Sequence, residues 1–319
     1  MTQAVIVIPA YNAAATVARA VESALRQTAL CAVVVVDDCS KDDTVRVAEG
    51  CDDGSGRLTV LRQEINRGPA AARNRAIEAS DAPWIALLDS DDEMEPDRVR
   101  QLLDSAGDDW DFLADDLWKV AEGEPAEART RLLSPSDFKP ITLDLASFVE
   151  GNLHSSRGNR SELGFIKPLM RRAFLDRHGL RYDDAMRLAE DYDLYARALA
   201  SGARFQVINP CGYVATVRRT SLSGNHRTED LRRIVEADRR LLARPGLTDA
   251  ERRALKRHFC QNQREWSWRR LIDSVQARDP VRSLSCFVAH PHVGWFLIGK
   301  LAEQGWLRLI RRLSPSGSV

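Results

Sequence analysis

The chain has 319 residues, of which 44% are hydrophobic and 29% are charged, a composition that can bury the core of one large domain, or of one domain with an appendage. Its 46 basic and 46 acidic residues balance, which argues against a nucleic-acid-binding protein because no global positive field would gather a polyanion. The sequence shows no Cys-x-x-Cys pair, signal-peptide pattern or membrane-spanning apolar run, so we expect reduced thiols and a cytoplasmic location.

The first half of the sequence alternates predicted strands with predicted helices. Short apolar runs predict strands at 4–9, 32–36, 58–61 and 84–88. Helical patterns follow them over 14–27, through Val45 and Ala48, over 69–79 and from Pro96 onward, with a proline at the start of the last two. Four such repeats predict an α/β fold with a largely parallel sheet, so the loops after the strands should meet at one edge.

Polar residues begin three of these loops. Several carboxylates in Asp89-Ser90-Asp91-Asp92 would repel one another without a cation, so a divalent metal is favoured over a solvated turn. Asp37-Asp38 either caps the next helix or accepts hydrogen bonds from a ligand. Tyr11 is either a half-buried aromatic or a flat surface for a nucleobase. Arg73 is either solvated or a counter-charge for a diphosphate.

Five segments contain motifs whose order and spacing along the chain are informative: residues 7–12, 36–42, 66–74, 88–92 and 188–194. Together, from Val7-Ile8-Pro9-Ala10-Tyr11-Asn12 to Leu188-Ala189-Glu190-Asp191, they resemble family 2 glycosyltransferases of the GT-A fold, in character those of bacterial succinoglycan-type exopolysaccharide synthesis. The resemblance covers about residues 3–217.

The resemblance implies a domain organisation and a fold. A GT-A domain would occupy 1–226, with nucleotide-sugar binding by 1–117 and the acceptor side in 118–226, and a helical region would occupy 227–319. The fold would be a Rossmann-like, mixed, mostly parallel sheet flanked by helices.

On the donor side, the resemblance implies that Pro9, Tyr11 and Asp38 border the nucleoside of a nucleotide sugar, most simply a UDP-sugar. Arg73 would approach the diphosphate. Asp89 would reach the ribose or share the metal.

The resemblance also implies the metal ligand and the catalytic acids. Asp91 would ligate Mn²⁺ or Mg²⁺, with Asp89 as a second candidate. Asp191 would be the general base in one inverting displacement by a hydroxyl of a saccharide or lipid-linked glycan. Glu190 would orient Asp191 or the acceptor, or would simply begin a helix.

Other classes explain less of the sequence. A phosphate-receiving signalling domain leaves Pro9 to Asn12 and Glu190-Asp191 unexplained, and a nicotinamide dehydrogenase would need a Gly-x-Gly-x-x-Gly that does not follow the first strand. The remaining alternative is a non-catalytic nucleotide-sugar-binding or scaffold protein of a polysaccharide assembly complex. The presence of both Asp91 and Asp191 favours an enzyme.

The segment 118–165 has no clear period and predicts an acceptor-binding or closing lid. Its His154 is weighed as a catalytic residue and disfavoured, because a lone loop histidine is usually solvated. Residues 218–226 resemble a late family segment that folds over the diphosphate, although the order of its arginines, serines and His226 departs from the usual one.

The C-terminal region is predicted to be helical and ends in a basic amphipathic helix. Its apolar stripe consists of Ile298, Leu301, Ala302, Trp306, Leu309, Ile310 and Leu313. Such a helix suits an anionic membrane surface, which would place the protein peripherally at the inner face of the plasma membrane. The alternative is packing on its own domain or on the other copy of a homodimer. The segment 261–266 only approaches the Gln-x-x-Arg-Trp motif of processive relatives, which favours a single transfer.

Overall fold

The computed structural model describes residues 2–107, 109–153, 163–218, 227–288 and 291–313. Within these ranges the strands are β1 (Ala4–Ala10), β2 (Cys31–Asp37), β3 (Leu58–Arg62), β4 (Trp84–Leu87), β5 (Glu93–Met94), β6 (Phe112–Asp115), β7 (Trp118–Ala121), β8 (Thr130–Arg131), β9 (Ile141–Leu143), β10 (Leu169–Arg171), β11 (Phe205–Ile208) and β12 (Tyr213–Val217). The helices are α1 (Val17–Leu25), α2 (Thr44–Glu49), α3 (Pro69–Glu78), α4 (Arg98–Ala106), α5 (Leu145–Gly151), α6 (Arg172–Arg177), α7 (Glu190–Leu199), α8 (Thr228–Leu242), α9 (Asp249–Gln276), α10 (Pro280–Val288) and α11 (Pro291–Leu313).

The central sheet has eight strands in the order β3-β2-β1-β4-β10-β6-β11-β9. The neighbours among β1 to β4 are parallel, as are β6 and β11. Strand β10 runs antiparallel to β4 and β6, and β9 runs antiparallel to β11. A smaller sheet has the order β5-β12-β7-β8. The predicted mixed, mostly parallel sheet is therefore confirmed.

Helices bury both faces of the parallel strands. Alternate side chains of β1 enter two hydrophobic clusters, with Val5 and Val7 on the side of α3 and Ile6 and Ile8 on the side of α1. This arrangement explains why the strand is apolar at every position, since neither face is left to solvent. The strand ends, where the polar loops begin, are therefore fixed by packing on both sides.

One predicted helix start is wrong. The helix expected from Pro96 begins at Arg98, with Asp97 as the residue before its first turn. The carbonyl of Pro96 instead accepts a hydrogen bond from the Thr28 backbone at 2.9 Å. Pro96 therefore belongs to the connection that ties β5 to the end of α1.

The segment 118–165 contains short elements that the sequence pattern does not reveal. Strands β7 and β8 belong to the small sheet, and β9 forms one edge of the central sheet. Helix α5 begins with a capping box, in which the Asp144 side chain accepts from the Ser147 backbone at 2.7 Å. Much of this segment therefore builds the fold itself. Its residues 154–162 lie outside the described ranges, and the acceptor-binding or closing lid expected over 118–165 stays a prediction.

The C-terminal helices begin by packing on the α/β core. Leu241 of α8 and Leu255 of α9 belong to the same hydrophobic cluster as Phe148 of α5 and Tyr192 of α7. Helices α10 and α11 form a separate small cluster with the end of α9 around Leu271. Among the helices of the described ranges, none combines the length and the apolar character needed to cross a membrane.

Candidate active site

The loops after β1 and β2 are cross-linked at the edge of the central sheet. The backbone N–H of Asn12 donates to Ser40 Oγ at 2.8 Å, and the N–H of Lys41 donates to Asn12 Oδ1 at 2.9 Å. Asn12 and Cys39 both have left-handed backbones, with φ of 48° and 64°, which cost a non-glycine residue about 1–2 kcal/mol each. Strain in two adjoining loops is typical of a functional site whose shape the surrounding fold maintains.

The predicted nucleoside residues Pro9, Tyr11 and Asp38 lie in or beside these loops. Tyr11 is 46% exposed, so its ring is accessible to a ligand. Asp38 is buried, and its carboxylate accepts from the backbone N–H groups of Arg67 and Gly68, both at 2.7 Å. Burial raises the pKa of Asp38, although the two hydrogen bonds act in the opposite direction. Asp38 thus fixes the loop that begins α3, and its contact with a base edge stays a prediction.

Two cations hold the carboxylate of Asp89. Its Oδ1 accepts from Arg73 Nη2 at 2.8 Å, and its Oδ2 lies 3.0 Å from Lys167 Nζ. Burial opposes ionisation of Asp89, but Lys167 and Arg73 outweigh burial and lower the pKa of the carboxyl. The negative charge of Asp89 is therefore already balanced within the protein.

Arg73 and Lys167 connect Asp89 to the first turn of α7. Arg73 Nη1 donates to Glu190 Oε1, and Arg73 Nη2 lies 3.7 Å from Asp191 Oδ2. Lys167 Nζ donates to the same Asp191 oxygen at 2.7 Å. Arg73 is only 3% exposed, so its guanidinium chiefly pairs with acids of the protein. Its predicted contact with a diphosphate stays a prediction.

Glu190 and Asp191 are the first two residues of α7. The preceding Ala189 has a left-handed φ of 59°, and the positive end of the helix stabilises the two acids. Burial raises the pKa of Glu190, although Arg73 acts in the opposite direction. Asp191 Oδ1 is buried and accepts no hydrogen bond from the described residues. The buried hydroxyl of Tyr182 also lies beside the Asp191 carboxylate.

Asp91 is the most open carboxylate of the cluster after β4. Among the described residues, Arg218 is the cation that approaches it, at 3.8 Å, and the Asp91 side chain is 40% exposed. Burial raises the pKa of Asp91, and the neighbouring Asp89 adds to the effect. Asp92, in contrast, accepts from Tyr213 Oη at 2.8 Å, and burial and the two neighbouring carboxylates raise its pKa to about 7.

This cluster fits a divalent cation through a single carboxylate. The described residues contain no group of three or more His, Cys, Asp or Glu side chains that could hold a metal, and Asp89 is paired with two cations. In sites that handle phosphates, Mg²⁺ is commonly held by one or two carboxylates, with substrate phosphates and water as its other ligands. Asp91 fits that role, and Asp89 as a second ligand stays a prediction.

Sequence reasoning missed three buried residues that support the site. Lys167 pairs with Asp89 and Asp191, Tyr213 Oη accepts from the Asp89 backbone at 3.2 Å, and Arg98 lies over the Tyr213 ring at 4.9 Å. A signal existed for Lys167, because it interrupts the apolar segment 165–169. A charged group in such a segment must find a partner of opposite charge when it is buried.

The two histidines weighed in the sequence, His154 and His226, lie outside the described residues. In the late segment 218–226, Arg218 is described and residues 219–226 lie outside the described ranges. Their proposed roles therefore stay predictions.

Solved structures of two other proteins resemble this chain in fold. TarS of S. aureus in complex with UDP-GlcNAc has a TM-score of 0.63 at 18% identity, and the match covers 90% of each chain. The mannosyltransferase PcManGT of Pyrobaculum calidifontis in complex with GDP-Man and Mn²⁺ has a TM-score of 0.56 at 16% identity, covering 95% of this chain and 87% of that one. These likenesses agree with a GT-A fold followed by a helical region.

Sequence comparison gives the family. The succinoglycan biosynthesis protein ExoU of Rhizobium meliloti (strain 1021) is 47% identical over 319 residues, which is 99% of this chain and 91% of that protein. The model of the family described as glycosyl transferase family 2 matches residues 5–169. Because the family model spans about half of the chain and ExoU matches nearly all of it, the chain belongs to glycosyl transferase family 2 and is a glycosyltransferase.

Proposed function

We propose that this glycosyltransferase moves one sugar from a UDP-linked donor to a hydroxyl of a saccharide or lipid-linked glycan in exopolysaccharide synthesis, with inversion at the anomeric carbon. The observation that carries the proposal is the position of Lys167 Nζ, which lies 3.0 Å from Asp89 and 2.7 Å from Asp191. The acids assigned to the donor and to the acceptor therefore adjoin. The similarity to ExoU supports a role in exopolysaccharide synthesis.

On the donor side, the exposed ring of Tyr11 packs on the nucleobase beside Pro9, and Asp38 borders the nucleoside. Asp91 would hold Mn²⁺ or Mg²⁺, which when bound neutralises charge that develops on the departing diphosphate. The nucleotide sugars bound by TarS and PcManGT, the latter with Mn²⁺, support this class of donor and metal.

On the acceptor side, Asp191 removes the proton of the attacking hydroxyl. A bond forms between the acceptor oxygen and the anomeric carbon while the bond from that carbon to the diphosphate oxygen breaks. Attack from the face opposite the leaving group inverts the configuration in one step. Glu190, fixed by Arg73, orients the acceptor.

The direct test is a panel of UDP-, GDP- and dTDP-sugars incubated with the full chain and Mn²⁺, with donor binding and donor consumption both measured. We expect binding and slow hydrolysis of a UDP-sugar, and faster consumption when a suitable saccharide is added. Binding without any consumption would favour the alternative, a non-catalytic nucleotide-sugar-binding or scaffold protein. Failure of every donor to bind in the presence of metal would contradict both.

Asp91→Asn should weaken the binding of UDP in the presence of Mn²⁺ at least about tenfold, because a neutral amide replaces the charged ligand. Calorimetry with Mn²⁺, and again with EDTA, measures the effect. Asp81→Asn is the matched control, since Asp81 is an exposed aspartate before the same strand, and it should leave UDP binding unchanged. Wild-type affinity for UDP that does not depend on the metal would exclude this role of Asp91.

We further propose that the C-terminal helices dock on an anionic lipid surface. Six apolar side chains of α10 and α11 are exposed, and together they are called the C-terminal apolar face: Val281, Leu284, Val288, Trp295, Ile298 and Leu301. Residues 275–313 contain six basic and two acidic residues, in a chain that is neutral as a whole. A positive apolar face complements anionic lipid, whereas two copies of it would repel each other. Charge therefore favours the membrane over a homodimer at this face.

Leu284→Gln together with Trp295→Gln should abolish co-flotation with vesicles containing phosphatidylglycerol, because both exposed apolar side chains are lost. The control is Leu30→Gln, an exposed leucine that is 49% accessible outside this face, which should float like the wild type. Equal flotation with neutral phosphatidylcholine vesicles would remove the electrostatic part of the proposal. A wild-type protein that never floats would remove all of it.

A further inference from the structure

Lys167 is one of two buried cations, with Arg73, that connect Asp89 to the acids of α7. Its side chain is 7% exposed, and its Nζ contacts Asp89 Oδ2 at 3.0 Å and Asp191 Oδ2 at 2.7 Å. Burial works against the charge of Lys167, but Asp191 and Asp89 outweigh burial and raise the pKa of the ammonium group. Lys167 therefore stays charged between two carboxylates from distant parts of the chain.

The backbone of Lys167 is fixed independently of these two acids. Its carbonyl oxygen accepts a hydrogen bond at 2.6 Å from Arg98, which is fully buried. Arg98 also donates to Asp115 at 2.8 Å. Lys167 lies two residues before β10, and β10 lies between β4 and β6 in the central sheet. The side chain thus extends from a rigid base, and its position can determine that of Asp191 rather than follow it.

Lys167 and Arg73 both pair with Asp89, but they approach Asp191 at different distances. Arg73 hydrogen-bonds to Asp89 and Glu190 but remains 3.7 Å from Asp191. Among the described residues, the short contact of Asp191 with a cation is the one between Lys167 Nζ and Asp191 Oδ2. Oδ1 accepts no hydrogen bond from the described residues. Lys167 thus anchors one oxygen of the Asp191 carboxylate.

We infer that Lys167 is a positioning residue, which fixes the orientation of the Asp191 carboxylate and keeps this carboxylate at a fixed distance from Asp89. The inference rests on the proposed function, because it presumes that Asp191 is the base. Lys167 contacts neither substrate in this scheme. It acts through Asp191, so its contribution to turnover should vanish when Asp191 cannot accept a proton.

A double-mutant cycle on stability tests the bridge without any substrate. Lys167→Met removes the cation that Asp89 and Asp191 share, so it should lower the melting temperature. Asp191→Asn removes one of these acids, so in that background the loss caused by Lys167→Met should be smaller by about 3 °C or more. Lys139→Met, which replaces an exposed lysine, controls for the loss of one positive charge. Equal losses in the two backgrounds would overturn the bridge.

The same cycle on turnover tests the positioning role, with hydrolysis of the best UDP-sugar as readout. We expect Lys167→Met to lower kcat at least about tenfold in the wild-type background and less than about threefold in the Asp191→Asn background. Additive losses would overturn positioning through Asp191. If Lys167→Met does not fold, Lys167→Gln takes its place, and wild-type turnover by that variant would also overturn the proposal.

Failure of the inference and failure of the proposed function give different results. A wild-type protein that consumes no donor counts against the proposed function, and the melting cycle then still decides whether Lys167 bridges the acids. An active wild type with additive losses counts against Lys167 alone.

Discussion

Replacing Asp191 by asparagine should lower sugar transfer about a thousandfold or more, while the affinity for UDP measured with Mn²⁺ changes by less than about threefold. Asparagine keeps the shape of the side chain and can still accept a hydrogen bond from Lys167, but it cannot take a proton from the acceptor. Among the described residues, the Asp191 carboxylate pairs with Lys167 and Arg73, whereas Asp91, the acid proposed to hold the metal, pairs with Arg218. Donor binding should therefore survive.

Glu190→Gln is the matched control for the loss of Asp191, since the two acids are adjacent in the first turn of α7. The amide retains an acceptor for Arg73, so we expect a smaller loss of transfer and a normal affinity for UDP. Calorimetry for UDP and a coupled assay for released UDP measure the two quantities. If Asp191→Asn lost transfer and UDP binding to the same extent, Asp191 would be a structural residue of the donor site.

The first four strands could be predicted because their signal is local. Strands covered on both faces must be apolar throughout, so the run predicted at 32–36 lies within the observed β2, Cys31–Asp37. Strand β10 has no such signal. It is only three residues long, and its place between β4 and β6 follows from antiparallel pairing with segments far away in sequence. The local pattern of apolar residues cannot predict which distant strands β10 pairs with.

The acidic cluster at the site also depends on contacts with residues that are distant in the sequence. Four adjacent residues, Asp89 to Asp92, predict a cation from their charges alone. Their separate environments depend on distant partners: Lys167 and Arg73 balance Asp89, and Tyr213, 121 residues away, holds Asp92. Asp91 is the most exposed of the three carboxylates, at 40% of its side chain against 30% for Asp89. The residues next to it in the sequence do not predict this difference.

Arg98→Met should lower the free energy of unfolding by about 3–5 kcal/mol, because it leaves the buried carboxylate of Asp115 without its cation. Both residues are inaccessible to solvent, and Arg98 Nε and Nη2 both donate to Asp115 Oδ1, at 3.0 and 2.8 Å. The other oxygen of Asp115 accepts from the backbones of Cys211 and Tyr213. The pair therefore ties β6 to the start of β12.

Arg100→Met is the control for Arg98→Met, because Arg100 lies two residues later on the exposed side of α4 and forms a surface pair with Asp97, with both side chains about half exposed. Its loss should cost less than about 1 kcal/mol. Urea unfolding measures both variants. Folded Arg98→Met should also turn over donor more slowly, since the guanidinium fixes the carbonyl of Lys167 and lies over the ring of Tyr213. Equal stability losses for the two arginines would show that the buried pair contributes nothing to holding the site.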